Sequence, residues 1–244
     1  MGKYNSSLTR VQPVFDYINA DREKLNDFFS LFGKDIVVSS KIISYKYGFD
    51  EAAIKPCREL LKWCVENVNQ LNDEEFEKLK YKTTSTDKKR YNLFKGDIQI
   101  KQQALAELKQ DKLPQKAWYI FEGYTHPDIY IETENQIFIG EAKRTESTLT
   151  SSTTWLKVRD QLIRHIDSVI DSDKKVYSFF ILENPALYEL DKYINDDNDF
   201  YKNNLPHRSL DIVEKIKKTY LGYTTWNEIN EKFGNEIEYP NAVE

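Results

Sequence analysis

The residues of this chain whose types and spacing best suit chemistry are Asp128, Glu141 and Lys143, set in the stretch from His126 to Lys143, HPDIYIETENQIFIGEAK. Ile129 to Ile131 is a β-branched and aromatic run, Glu134-Asn135 suits a turn, and Gln136 to Ile139 opens a second strand ending in Gly-Glu-Ala-Lys. Side chains alternate along a strand, so Glu141 and Lys143 point to one side. If the strands pair as a hairpin, Asp128 comes close to Glu141. Two carboxylates and an ammonium at one sheet edge can hold a divalent metal beside a phosphate, which makes a hydrolytic centre. Mg²⁺ takes oxygen ligands and keeps several waters, so one or two carboxylates plus a substrate phosphate suffice. The metal would acidify a bound water, and Lys143 would orient that water or neutralise developing charge.

The strands that position these groups are apolar on both faces. Ile137 and Ile139 share a face with Glu141 and Lys143, while Phe138, Gly140 and Ala142 take the other, as in a sheet covered on both sides. Charges ending such a strand must be paired, metal-bound or near a cleft, because unpaired burial costs several kcal/mol. A Glu-x-Lys alone is common and also fits a salt-bridged hairpin edge. The Pro-Asp, the two apolar strands and their order make the site reading far more specific.

This arrangement resembles the PD-(D/E)xK nuclease superfamily, and the resemblance covers roughly Asp97 to Glu183. It implies an α/β fold with a restriction-endonuclease-like core, namely helix, three strands, helix, strand, in a mixed central sheet flanked by helices. By position, Asp128 and Glu141 would be metal ligands and Lys143 the catalytic lysine, with Mg²⁺ as the ion and Mn²⁺ as a substitute. Activity would be hydrolysis of DNA phosphodiester bonds, in a setting such as prokaryotic restriction or anti-phage defence. A non-catalytic subunit of the same fold, binding nucleic acid or a partner protein, is the alternative.

Flanking segments are expected to supply the rest of that core. Trp118 to Tyr124 reads as a strand, and Ile98 to Lys109 as an amphipathic helix with Ile100, Ala104, Leu105 and Leu108 on one face. The family often adds a glutamate from its first helix to the metal site, which makes Glu107 the candidate metal ligand. An ordinary solvated helix glutamate is the equal alternative for Glu107, and Glu122 is a weaker candidate for the same role. Hydroxyl residues up to Thr154 suit the cap of a helix starting near Trp155. On that helix Gln161 and His165, four apart, fall near the apolar stripe. RecB-like members carry Gln-x-x-x-Tyr there; here the second position is histidine. Gln161 is taken as a catalytic-site residue touching substrate or water, and His165 as a helix histidine with a nearby partner. Lys175 to Leu182 reads as a central buried strand. Residues 1–96 and 185–244 are expected as helical additions around a core at 97–184, with Val14–Phe32 and Ala52–Leu71 as helices.

With 244 residues, 14% aromatic and 31% charged, the chain describes a folded, water-soluble protein, and no run approaches a membrane-spanning length. Cys57 and Cys64 make neither a zinc pattern nor an iron–sulfur set, and read as reduced thiols of a cytoplasmic protein. The formal net charge of −5 runs against nonspecific attraction to DNA. Locally, Lys88, Lys89 and Arg90 lie in a basic, aromatic-interleaved segment, and Arg144 follows the catalytic lysine. These four are the candidate nucleic-acid contacts, with a solvated linker as the alternative for the segment. A homodimer or a second, DNA-recognising subunit would suit the acidic chain.

Overall fold

The computed structural model describes residues 6–110, 112, 116–146, 148–195, 198–234 and 236–239. A π-helical turn, Ser7–Val11, runs into α1 (Gln12–Ile18), followed by α2 (Arg22–Ser30). The single helix expected across Val14–Phe32 breaks because Asn19 and Ala20 take positive φ, and the Asp21 carboxylate then caps α2 by accepting from the Glu23 and Lys24 amides. Strand β1 (Ile42–Tyr47) comes next. An insertion follows, with helices α3 (Arg58–Glu66), α4 (Asp73–Leu79), α5 (Ser85–Phe94) and α6 (Ile98–Leu108). Pro56 and the Cys57 cap delay α3, so only part of Ala52–Leu71 is α-helical.

The expected hairpin forms as β2 (Ile129–Thr133) and β3 (Gln136–Lys143). After it come α7 (Gln161–Asp167), β4 (Lys175–Leu182), α8 (Asn198–Asn204), α9 (Leu210–Lys217), β5 (Tyr220–Thr225) and α10 (Trp226–Lys232). The strands make one mixed sheet in the order β1-β2-β3-β4-β5; the first two pairings are antiparallel and the last two parallel. Every residue of β3 is buried, as a strand covered on both faces must be. On one face Phe138 and Ala142 pack with Phe179, α1, α2 and α10; on the other Ile137 and Ile139 pack with Leu162, Ile166 and Val213. The alternation expected along β3 is therefore the one that forms.

Three expected elements are corrected. Trp118–Tyr124 is not a strand: Trp118, Tyr119 and Phe121 instead fill the separate core of the insertion, with Leu60, Phe76 and Leu108. The third antiparallel strand is β1, far upstream, and the helices packed on the sheet ahead of it are α1 and α2 rather than Ile98–Lys109. The helix expected from Trp155 starts at Gln161, because Asp160 rather than a threonine supplies the cap, accepting from the Leu162 and Ile163 amides. Among the described residues no helix is long and apolar enough to cross a membrane.

Candidate metal centre

The register of the hairpin sets Ile129 opposite Gly140, which puts Asp128, one residue earlier, level with Glu141. Asp128 is fixed from two sides: its Oδ2 accepts from the Ala142 amide at 2.8 Å and its Oδ1 from the Ser7 hydroxyl at 3.1 Å. Glu141 is 1% exposed. Its Oε1 takes the Lys143 ammonium at 2.7 Å and its Oε2 lies 3.0 Å from His165 Nε2. Lys143 also donates to Gln161 Oε1 at 3.3 Å. Asp128, Glu141, Lys143 and Gln161 are thus one connected cluster, with His165 behind it.

Electrostatics show what the cluster lacks. Burial, and after it the Glu141 carboxylate, push Asp128 up to about 7. Burial likewise raises Glu141 above the ordinary carboxylate range. Burial opposes the Lys143 ammonium, yet Glu141 and then Asp128 hold its pKa above the usual value. Burial drives His165 down to about 3, so the imidazole is neutral. Its Nε2–H can then donate to Glu141 while Nδ1 accepts from the Thr125 hydroxyl at 2.5 Å. One ammonium facing two adjoining buried carboxylates leaves one negative charge to be met by a proton or a cation. The oxygen-only donor set fits Mg²⁺ or Mn²⁺ better than a thiophilic metal.

A third carboxylate stands nearby. An isolated antiparallel bridge, Ile54 with Thr125, zips the segment after β1 to the one before β2. That brings Glu51 near enough for Asp128, second to burial, to raise its pKa, and His126 Nδ1 lies 4.0 Å from Glu51 Oε2. Glu51, Ser7 and Thr125 were not singled out from the sequence. Each reaches the site through a long-range contact, and no local motif marks it. Beside the cluster, a cleft of about 360 Å³ is lined by Thr148, Leu149, Ser151, Tyr188 and Lys192, among others. Tyr188 on its wall feels the Lys143 charge.

Other expected site residues lie elsewhere. Glu107 is on α6, accepting from Gln103 Nε2 at 2.9 Å, and is not brought to the cluster. Glu122 is also taken: Arg159 grips it in a bidentate pair at 2.8 and 2.9 Å, with both side chains 1% exposed. The basic segment is helical, not a linker. Lys88 is exposed on α5, and Lys89 donates to Gln103 at 3.4 Å. Arg90 donates to the Trp118 and Ile120 carbonyls at 2.6 and 3.0 Å and lies over the Trp155 ring, so it holds the insertion together rather than reaching for phosphate. Arg144 does lie beside the cluster, donating to Thr9 Oγ1 at 2.8 Å. It is close enough to Arg10 that, after burial, its charge lowers the Arg10 pKa.

No protein family, curated protein or solved structure matches this chain.

Proposed function

We propose that this chain is a metal-dependent nuclease of PD-(D/E)xK type that hydrolyses DNA phosphodiester bonds, in a role such as prokaryotic restriction or anti-phage defence. The observation that carries this reading is the meeting of Asp128, Glu141 and Lys143 at the end of an antiparallel hairpin, with a charge deficit that one divalent cation would fill. The mixed sheet, with β2 and β3 antiparallel and β4 parallel to β3, supports the restriction-endonuclease-like core. The defence role is analogy from the family.

Each residue then has a task. Asp128 and Glu141 bind the ion, Asp128 steadied by the Ala142 amide and Glu141 by His165. A bound Mg²⁺ or Mn²⁺ supplies Lewis-acid polarisation of the phosphate and an acidified water. Lys143, held by Gln161, orients the attacking water and offsets charge building on phosphate oxygens. Arg10 and Arg144, two guanidinium groups near one another, suit a flanking phosphate. A second copy or a DNA-recognising subunit would suit an acidic chain.

A second reading has its own observation. Lys143 is 9% exposed and Glu141 less, and the turn beginning at Ser7 sits against Asp128. A site that never opened would belong to a binding or assembly subunit instead. Supercoiled plasmid incubated with Mg²⁺ or Mn²⁺ separates the two. Nicking by the wild type, absent in EDTA and reduced at least ~100-fold in Asp128→Asn and Lys143→Ala, supports the nuclease. Plasmid binding without cleavage under either metal supports the subunit.

A further inference from the structure

A second cluster lies apart from the candidate centre, where the start of α3, the end of α7 and the segment after α8 converge. Cys57 Sγ is 3.5 Å from His207 Nε2 and 3.7 Å from Asp167 Oδ2, and His207 Nε2 is 3.0 Å from Asp167 Oδ2. All three ligand atoms lie within 4.8 Å of one another. The cysteine and the carboxylate approach the same imidazole nitrogen, so this is not a nucleophile–base–orienter relay, which needs both ring nitrogens. The Cys57 thiol and the His207 Nε2–H can each donate to Asp167, so hydrogen bonds hold the three side chains together in the metal-free chain. A tetrahedral zinc ion would draw on the same three converging atoms. With Zn–S near 2.3 Å and Zn–N and Zn–O near 2.0 Å, tetrahedral ligands stand about 3.5 Å apart for sulfur to nitrogen or oxygen and about 3.3 Å for nitrogen to oxygen. The three observed edges, 3.5, 3.7 and 3.0 Å, fall within about 0.3 Å of that triangle.

From this geometry we propose that Cys57, Asp167 and His207 form a zinc site with an open fourth position, separate from the magnesium-type centre. Water completes the set, since no fourth His, Cys, Asp or Glu joins the group among the described residues. The surroundings hold the carboxylate as metal-ligating carboxylates are held, by outer hydrogen bonds: Arg159 Nη2 donates to Asp167 Oδ2 and Arg208 Nε to Oδ1, both at 2.6 Å. Each guanidinium has a second carboxylate of its own, Glu122 for Arg159 and Asp171 for Arg208, so neither needs Asp167 alone for charge balance. Zinc would displace the Cys57 proton and leave a thiolate. It would tie the insertion to the layer beneath the sheet through residues 110 and 40 positions apart in the chain.

Cobalt(II) titration of the EDTA-treated full chain tests this without reference to any activity. The expected result is a thiolate-to-cobalt charge-transfer band and strong tetrahedral d–d bands that saturate at one ion per chain and are bleached by Zn²⁺. Cys57→Ser should lose the charge-transfer band, and His207→Gln should lose tight binding. Cys64→Ser and Asp128→Asn should keep both. A folded wild type with no charge-transfer band, or a band unchanged in Cys57→Ser, overturns the site and leaves an ion-pair knot only.

Discussion

Burial brings the Asp128 carboxyl to titrate near neutrality. Its pKa near 7 in the folded chain stands above the ~3.9 of an unfolded aspartate, so the folded state holds the proton more tightly between those values. Without metal, its contribution to stability therefore falls as pH rises from about 4 to about 7, and the penalty is complete above that. His165 works the other way: folded near 3 against ~6.5 unfolded, it costs stability as pH falls below ~6.5. The two offset each other at mildly acidic pH, so a variant comparison is the cleaner readout. In urea unfolding with EDTA, Asp128→Asn should gain on the order of 2–4 kcal/mol over wild type at pH 8 and much less at pH 5. An equal gain at both values would mean the Asp128 carboxyl is not electrostatically stressed. Thr125 is testable at the same scale. Its hydroxyl fixes one imidazole nitrogen of His165, so Thr125→Val should weaken metal binding by about 10–100-fold while leaving the fold intact. Calorimetry with Mn²⁺ reads that difference.

At the scale of elements, β3 is the most constrained strand. A Cβ on Gly140 would lie 2.5 Å from the Phe179 ring of β4 and 3.0 Å from Ile129 of β2. Gly140→Ala should therefore cost about 1–3 kcal/mol by overpacking, measured by thermal or urea unfolding. Arg159, fully buried between Glu122, Asp167 and the Asn204 carbonyl, joins the insertion to α7. Arg159→Met leaves two buried carboxylates short of a partner and should cost about 3–5 kcal/mol. The hairpin and the β4 strand were legible in the sequence because their signals are local: alternation along Gln136–Lys143 and a continuous apolar run at Lys175–Leu182. β1 was not, because the insertion separates Tyr47 from its partner Ile129. The aromatic run beside Pro127 was the nearer choice of strand, but its side chains serve the insertion's own core. β5 lies within 185–244, expected as helical additions, and was not legible, since Tyr220–Thr225 follows α9 after a two-residue break and Gly222 hides the alternation. The same distance effect hid Glu51 and the Cys57, Asp167, His207 group, whose members no spacing rule connects.

For the whole molecule, the net charge of −5 and the proposed DNA substrate are compatible through local placement of charge. Arg10, Lys143 and Arg144 gather at the candidate centre, and Lys192 lines the adjoining cleft. Replacing Arg144 by alanine should weaken plasmid binding and flatten its salt dependence by about one unit of log–log slope, as loss of one phosphate contact does. No change in slope would place the DNA path elsewhere. The central claim, that Asp128 and Glu141 share one hard divalent cation, is most directly tested by electron paramagnetic resonance of Mn²⁺ titrated into the protein. The expected result is loss of the free-ion signal at one equivalent in wild type and in Cys57→Ser, with the free signal restored in Asp128→Asn and Glu141→Gln. A wild-type titration indistinguishable from buffer, or binding that survives both carboxylate substitutions, would contradict it.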